Sequence, residues 1–69
     1  MSIQADLDNR FDYHPADPDT ALLHQGVRQE CKRLAEHLEV LVPPGRELSV
    51  ALTNLEQVLF WANAGIARA

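Results

Sequence analysis

The residues able to do chemistry in this sequence are few, and they are of a binding kind. Arg10-Phe11-Asp12-Tyr13-His14-Pro15 places two aromatics, a histidine and charges of both signs side by side. Phe11 and Tyr13 offer flat apolar faces on which a nucleobase can stack. The same rings could dock the segment on neighbouring helices; docking fits Phe11 better, and Tyr13 suits either role. His14 carries a donor for a phosphate, yet a lone histidine before Pro15 also suits a turn that satisfies its own ring. Arg46 falls in the first turn of an expected helix, where the dipole disfavours a cation by about 0.3 to 1 kcal/mol. Either its guanidinium converges with free backbone amides on a phosphate or other anion, or it pairs with Glu47 or the acidic N-terminal segment. Arg28, taken alone, is an ordinary solvated charge. Thr53 reaches either its own i−4 carbonyl or a ligand, and Asn63, if buried, must find hydrogen-bond partners.

Nothing in the sequence reads as catalytic. Cys31 is the only cysteine, so no disulfide can form within the chain, and its place in a helical apolar stripe suits a small buried residue of a reducing compartment. His14, His24 and His37 fall in no i, i+3 or i, i+4 pairing with one another and in no zinc-finger pattern. No Ser/His/Asp grouping and no Gly-rich phosphate loop is present. The expectation is a protein that is not an enzyme and holds no metal or cofactor.

The elements that must position these residues are helical. Met1 to Asn9 shows no periodicity and reads as a disordered tail (1–9), followed by an extended aromatic arm (10–18) that Pro15 and Pro18 keep out of helix. Asp17-Pro18-Asp19-Thr20 is a start signal for helix one (19–42). Along it Leu23, Val27, Cys31, Leu34, Leu38 and Leu41 recur at steps of three and four, with Arg28, Lys32, Glu36 and Glu39 opposite. Pro43-Pro44-Gly45 turns the chain into an antiparallel helix two (46–67), whose seam is Leu48, Leu52, Leu55, Leu59, Ala62 and Ile66. The fold class is therefore all-α: a short extended N-terminal arm and an antiparallel two-helix hairpin, assembled as a homo-oligomer.

Assembly follows from size and from the end of helix two. At 69 residues the chain is one domain near the lower limit for a self-sufficient core. Between Glu56 and Arg68 there is no charge, and Val58, Phe60 and Trp61 leave the last turns apolar on every side. One partner helix cannot cover such a surface, and the run is too short to span a bilayer. Leu55, Val58, Leu59, Phe60, Trp61, Ala62 and Ile66 are accordingly the expected oligomer interface.

Charge narrows the partners. Net charge is −4, but residues 1–20 hold five Asp against one Arg, whereas 21–69 hold five Glu against five Lys or Arg. The helical part is neutral, which argues against a general DNA or RNA binder. A single small anion needs only a few placed cations. With no apolar leader or membrane span, the sequence reads as soluble and cytoplasmic.

Three stretches carry a family resemblance: Arg10-Phe11-Asp12-Tyr13-His14-Pro15; Pro43-Pro44-Gly45-Arg46-Glu47; and Leu52-Thr53-Asn54-Leu55-Glu56 leading to Trp61-Ala62-Asn63-Ala64-Gly65-Ile66-Ala67-Arg68. Together they resemble the small phage sponges that sequester cyclic-nucleotide alarm signals, the anti-CBASS and anti-Thoeris immune-evasion proteins. The resemblance implies a homohexamer in the host cytoplasm. Its pockets lie between protomers and hold cyclic dinucleotides, cyclic trinucleotides or cyclic ADP-ribose isomers uncleaved. It also implies that an arm tyrosine stacks on a base and that a basic residue 15 positions later meets a phosphate, a spacing that joins Tyr13 to Arg28. The alternative is a structural helical hairpin that only oligomerises and binds no small molecule.

Overall fold

The computed structural model describes residues 2–69; Met1, the first residue of the expected tail, lies outside them. Its elements are α1 (Ile3–Phe11), α2 (Pro18–Leu41) and α3 (Arg46–Arg68), with no strand among the described residues.

The segment expected as a disordered tail is in fact the nine-residue helix α1, and the extended part shrinks to the residues between α1 and Pro18. Local polar contacts explain it. The Ser2 hydroxyl accepts the Ala5 amide at 3.0 Å and caps the first turn. Gln4 donates to the Asp8 carboxylate at 2.8 Å, and Arg10 pairs with Asp6 at 3.6 Å, both one helical turn apart. The Arg10 guanidinium also lies over the Phe11 ring, 5.5 Å from its centroid.

α2 begins where its start signal stands. The Asp17 carboxylate accepts the Thr20 amide at 2.7 Å, and Pro18 occupies the first turn, where no amide partner is needed. It ends as the Val42 amide reaches the Leu38 carbonyl at 2.9 Å, and Pro43 and Pro44 then forbid continuation. α3 starts without a side-chain cap: Gly45 is its N-cap, and no side chain accepts from its first amides.

α2 and α3 pack on each other, and α1 has no comparable partner. The seam of α3 is as read from the sequence: Leu48 is buried at 8% exposure beside the turn, and Leu52, Leu55, Leu59, Ala62 and Ile66 are half-buried. The seam of α2 is shifted. Its half-buried line runs through His24, Val27, Cys31, Ala35, Leu38 and Val42, while Leu23, Leu34 and Leu41 stand exposed on one flank. Apolar side chains cover more than the width of α2 that one neighbouring helix can shield, so the small Ala35 and Cys31 sit at the contact and the larger leucines remain outside it.

The molecule is consequently thin and open. Its Cα radius of gyration is 15.4 Å, against about 11 Å for a compact domain of this length. Its long axis is 47 Å, whereas the 24 residues of α2 account for about 36 Å at the helical rise. No helix is long and apolar enough to cross a membrane among the described residues.

The α2 cap gives a pH prediction. The Thr20 backbone amide, then its hydroxyl, hold the Asp17 carboxyl below its ordinary value of 3.8. A depressed carboxylate contributes stability that is present above the unfolded pKa and lost as pH falls through the folded one, here below 3.8. Asp17→Asn, which caps without titrating, should therefore lose less helix than wild type between pH 5 and pH 2. Circular dichroism of the two proteins in parallel checks this; identical acid profiles would contradict it.

Candidate functional site

The residues that could hold an anion are arranged along one flank of the α2/α3 pair. Arg28 and Lys32, one turn apart on α2, rise over a concavity of about 460 Å³ whose floor is Cys31, Ala35, Leu52, Leu55 and Leu59. Glu56 of α3 stands on the opposite rim. Two cations thus face one carboxylate across an apolar trough, and neither Arg28 nor Lys32 makes an ion pair among the described residues. The other flank, lined by Glu30, Arg33, Leu34, His37 and Val58, is a second shallow groove of about 360 Å³. There Arg33 is already paired with Glu30 at 2.9 Å.

The remaining sequence-derived candidates are spread out. Tyr13 is 87% exposed in the extended segment and lines neither groove, so a single chain does not bring it to Arg28 in one concavity. Phe11 ends α1, exposed, with Arg10 over its ring. His14 is half-buried, and its Nε2–H donates to the Asn9 carbonyl at 2.6 Å, because a carbonyl can only accept. That bond ties the extended segment back to α1. Arg46 is exposed and unpaired among the described residues, next to the uncapped amides of α3. Thr53 is exposed; the i−4 contact in its turn is made by Asn54, which donates to the Val50 carbonyl at 3.0 Å. Of the expected interface residues, Leu55, Leu59, Ala62 and Ile66 are half-buried against α2, and Val58, Phe60 and Trp61 project outward, Trp61 at 68% exposure.

Asn63 has the partner its burial demands, one that sequence reasoning did not name. His24 Nδ1–H donates to the Asn63 Oδ1 at 2.8 Å, a half-buried hydrogen bond between α2 and α3. The signal was available: each is a polar residue at a position where the helix otherwise turns apolar side chains to its neighbour. No group of three His, Cys, Asp or Glu that could hold a metal occurs among the described residues.

Residues 4–67 of the 69 match the Acb2/Tad1 hairpin domain. The chain belongs to the Acb2/Tad1 hairpin family. This is the family of anti-CBASS and anti-Thoeris sponges that the sequence resembles, a hairpin-domain family rather than an enzyme family. No curated protein and no solved structure matches the chain. The Acb2/Tad1 match begins inside α1, so that helix belongs to the domain together with the hairpin.

The His24 to Asn63 bond gives the prediction of this site. Asn63→Leu leaves the His24 donor half-buried and unpaired and should destabilise by about 1 to 3 kcal/mol. His24→Leu combined with Asn63→Leu removes both polar groups and should cost less than the two single changes together. Chemical unfolding of the four proteins closes the cycle; strict additivity would show that the two side chains do not act as a pair.

Proposed function

We propose that this chain is a cyclic-nucleotide sponge: as a homo-oligomer, a homohexamer by the family resemblance, it sequesters cyclic dinucleotides, cyclic trinucleotides or cyclic ADP-ribose isomers uncleaved, and so suppresses antiphage defence in the host cytoplasm. Membership of the Acb2/Tad1 family carries this reading. The groove chemistry supports it, because Arg28 and Lys32 are free to neutralise phosphate above an apolar floor that tolerates a base or ribose edge. Arg46, with the uncapped α3 amides beside it, supplies a second anion contact. Tyr13 stacks on a base from another protomer, with Phe11, His14, Thr53 and Asn63 at the margins of the pocket.

Surface area supports assembly. The chain exposes 5645 Å² for 7.7 kDa, whereas a compact monomer of that mass exposes about 4300 Å². The surplus exceeds the roughly 800 Å² that each partner places in an ordinary stable interface. Val58, Phe60 and Trp61 are the outward apolar side chains best placed to cover it. Trp61→Asp should therefore lose the oligomer and most of the helix content together, since a carboxylate would be buried unpaired. Light scattering and circular dichroism report both; a folded wild-type monomer at micromolar concentration would refute assembly.

Binding is tested on the two contacts that the spacing joins. Tyr13→Ala should weaken a cyclic dinucleotide by about 1 to 3 kcal/mol through lost stacking, and Arg28→Ala by about 1.5 to 3 kcal/mol through a lost charged hydrogen bond. Neither residue belongs to the seam, so sizing should show the wild-type assembly. Calorimetric titration reads the affinities, and heat denaturation of the saturated complex should return unaltered ligand. Wild-type affinity in both variants would remove Tyr13 and Arg28 from the site. Failure of wild type to bind any of the cyclic signals would favour the purely structural hairpin.

A further inference from the structure

We propose that His14 is a positioning residue: by capping α1 it braces the backbone of Tyr13, so that this ring is held open for stacking on a nucleobase; the stacking itself rests on the sequestering function proposed above. The bracing is built where α1 ends. The Asp12 amide still reaches the Asp8 carbonyl at 3.0 Å, but Asp12 itself is extended, at φ −78° and ψ 156°. The chain therefore leaves the helix just before Tyr13, whose amide would have been the next partner of the Asn9 carbonyl.

The imidazole takes that place. His14 Nε2–H donates to the Asn9 carbonyl at 2.6 Å, satisfying an acceptor that the end of the helix would otherwise leave open. The bond closes a loop from Asn9 to His14 with Tyr13 inside it. Pro15 disfavours the helical region for His14 and keeps it extended. Tyr13 is thus flanked by two fixed residues: Asp12, tied through its amide, and His14, tied through its ring. With Nε2–H engaged, the other nitrogen of the neutral ring is an acceptor, unsuited to phosphate. His14 contributes to a pocket through its neighbour.

The Tyr13 ring, by contrast, is free. At 87% exposure it is the most open of the large apolar side chains among the described residues. Phe11, the other aromatic of the segment, has the Arg10 guanidinium 5.5 Å from its ring centroid, so one of its faces is already occupied. An exposed ring on a fixed backbone is preorganised: binding need not order the segment, and less of the stacking energy is offset by lost chain entropy. The brace lies wholly between Asn9 and His14, so removing it leaves the α2/α3 seam intact.

Tyr13 is the only tyrosine, so biosynthetic 3-fluorotyrosine labels it alone. In the ligand-free protein His14→Phe, which keeps a ring but no donor, should narrow the fluorine resonance and move it toward its denatured-state position. His14→Gln, whose side-chain amide can replace Nε2–H, should stay near wild type. Calorimetric titration with a panel of cyclic dinucleotides, cyclic trinucleotides and cyclic ADP-ribose isomers should follow the same order. His14→Phe weakens binding by about two- to tenfold, the net worth of one hydrogen bond, and His14→Gln restores most of it. In the Tyr13→Ala background His14→Phe should have no further effect, because a positioning residue acts only through the ring it holds. A further loss in that background would make His14 a direct ligand contact. That result, an unchanged fluorine signal in His14→Phe, no rescue by His14→Gln, or loss of the assembly in either variant would overturn the proposal. Wild type that binds no panel member would refute the sponge function and the stacking, while the fluorine signal still decides the bracing; tight wild-type binding that His14→Phe leaves unchanged would refute the positioning and leave the sponge standing.

Discussion

Two helices laid side by side shield only the stripe that each turns toward the other, and in this chain apolar side chains occupy more of each helix than that stripe. Among the described residues Leu48 alone is buried, at 8% exposure, and it sits next to the turn, where the chain closes on itself. Farther along, the seam is half-covered at best. Leu23, Leu34 and Leu41 flank it on α2, and Val58, Phe60 and Trp61 project from α3. A core of this size does not offset the entropy of ordering 69 residues. The chain has one cysteine, and no metal-holding group occurs among the described residues; the assembly proposed above would cover the exposed apolar flanks.

The same constraint sets the character of the candidate site. With Leu48 its one buried residue among those described, the chain has little interior. What it has is surface troughs with apolar floors and charged rims. Arg28 and Lys32 face Glu56 across the larger trough on the flank where the other ion pairs are absent, whereas Arg33 on the opposite flank is neutralised by Glu30. Between them, His24 and Asn63 form the one described side-chain hydrogen bond that joins the two long helices. A polar pair in an otherwise apolar seam penalises any slip of one helix against the other, since a slip would leave both groups unpaired. It fixes which residues of α3 stand opposite Arg28.

Asp17-Pro18 and Pro43-Pro44-Gly45 act through backbone geometry and local caps, which any sequence carries openly, and they delimit α2 and α3. The α3 seam was legible because its leucines have one neighbour to face. The α2 seam is displaced because its apolar width leaves the choice of centre to the partner helix, which sequence alone does not position. α1 escapes a periodicity reading for a different reason: its helix depends on a Ser2 cap and side-chain pairs one turn apart rather than on a long periodic stripe. For the site, Arg28 could be singled out only through the family resemblance, and its pairing with Lys32 over an apolar floor required the structure. Tyr13 is 87% exposed in the extended segment and lines neither groove, so the residues singled out for ligand binding do not converge within one chain.

The proposed sponge is complete only as an assembly that holds an intact cyclic nucleotide. Native mass spectrometry at micromolar protein, with and without a panel of cyclic dinucleotides, cyclic trinucleotides and cyclic ADP-ribose isomers, measures both parts in one spectrum. Such a sponge gives a discrete multimer without monomer, shifted by whole multiples of the unmodified mass of at least one panel member. A folded monomer, or a multimer whose mass no panel member changes, would contradict it.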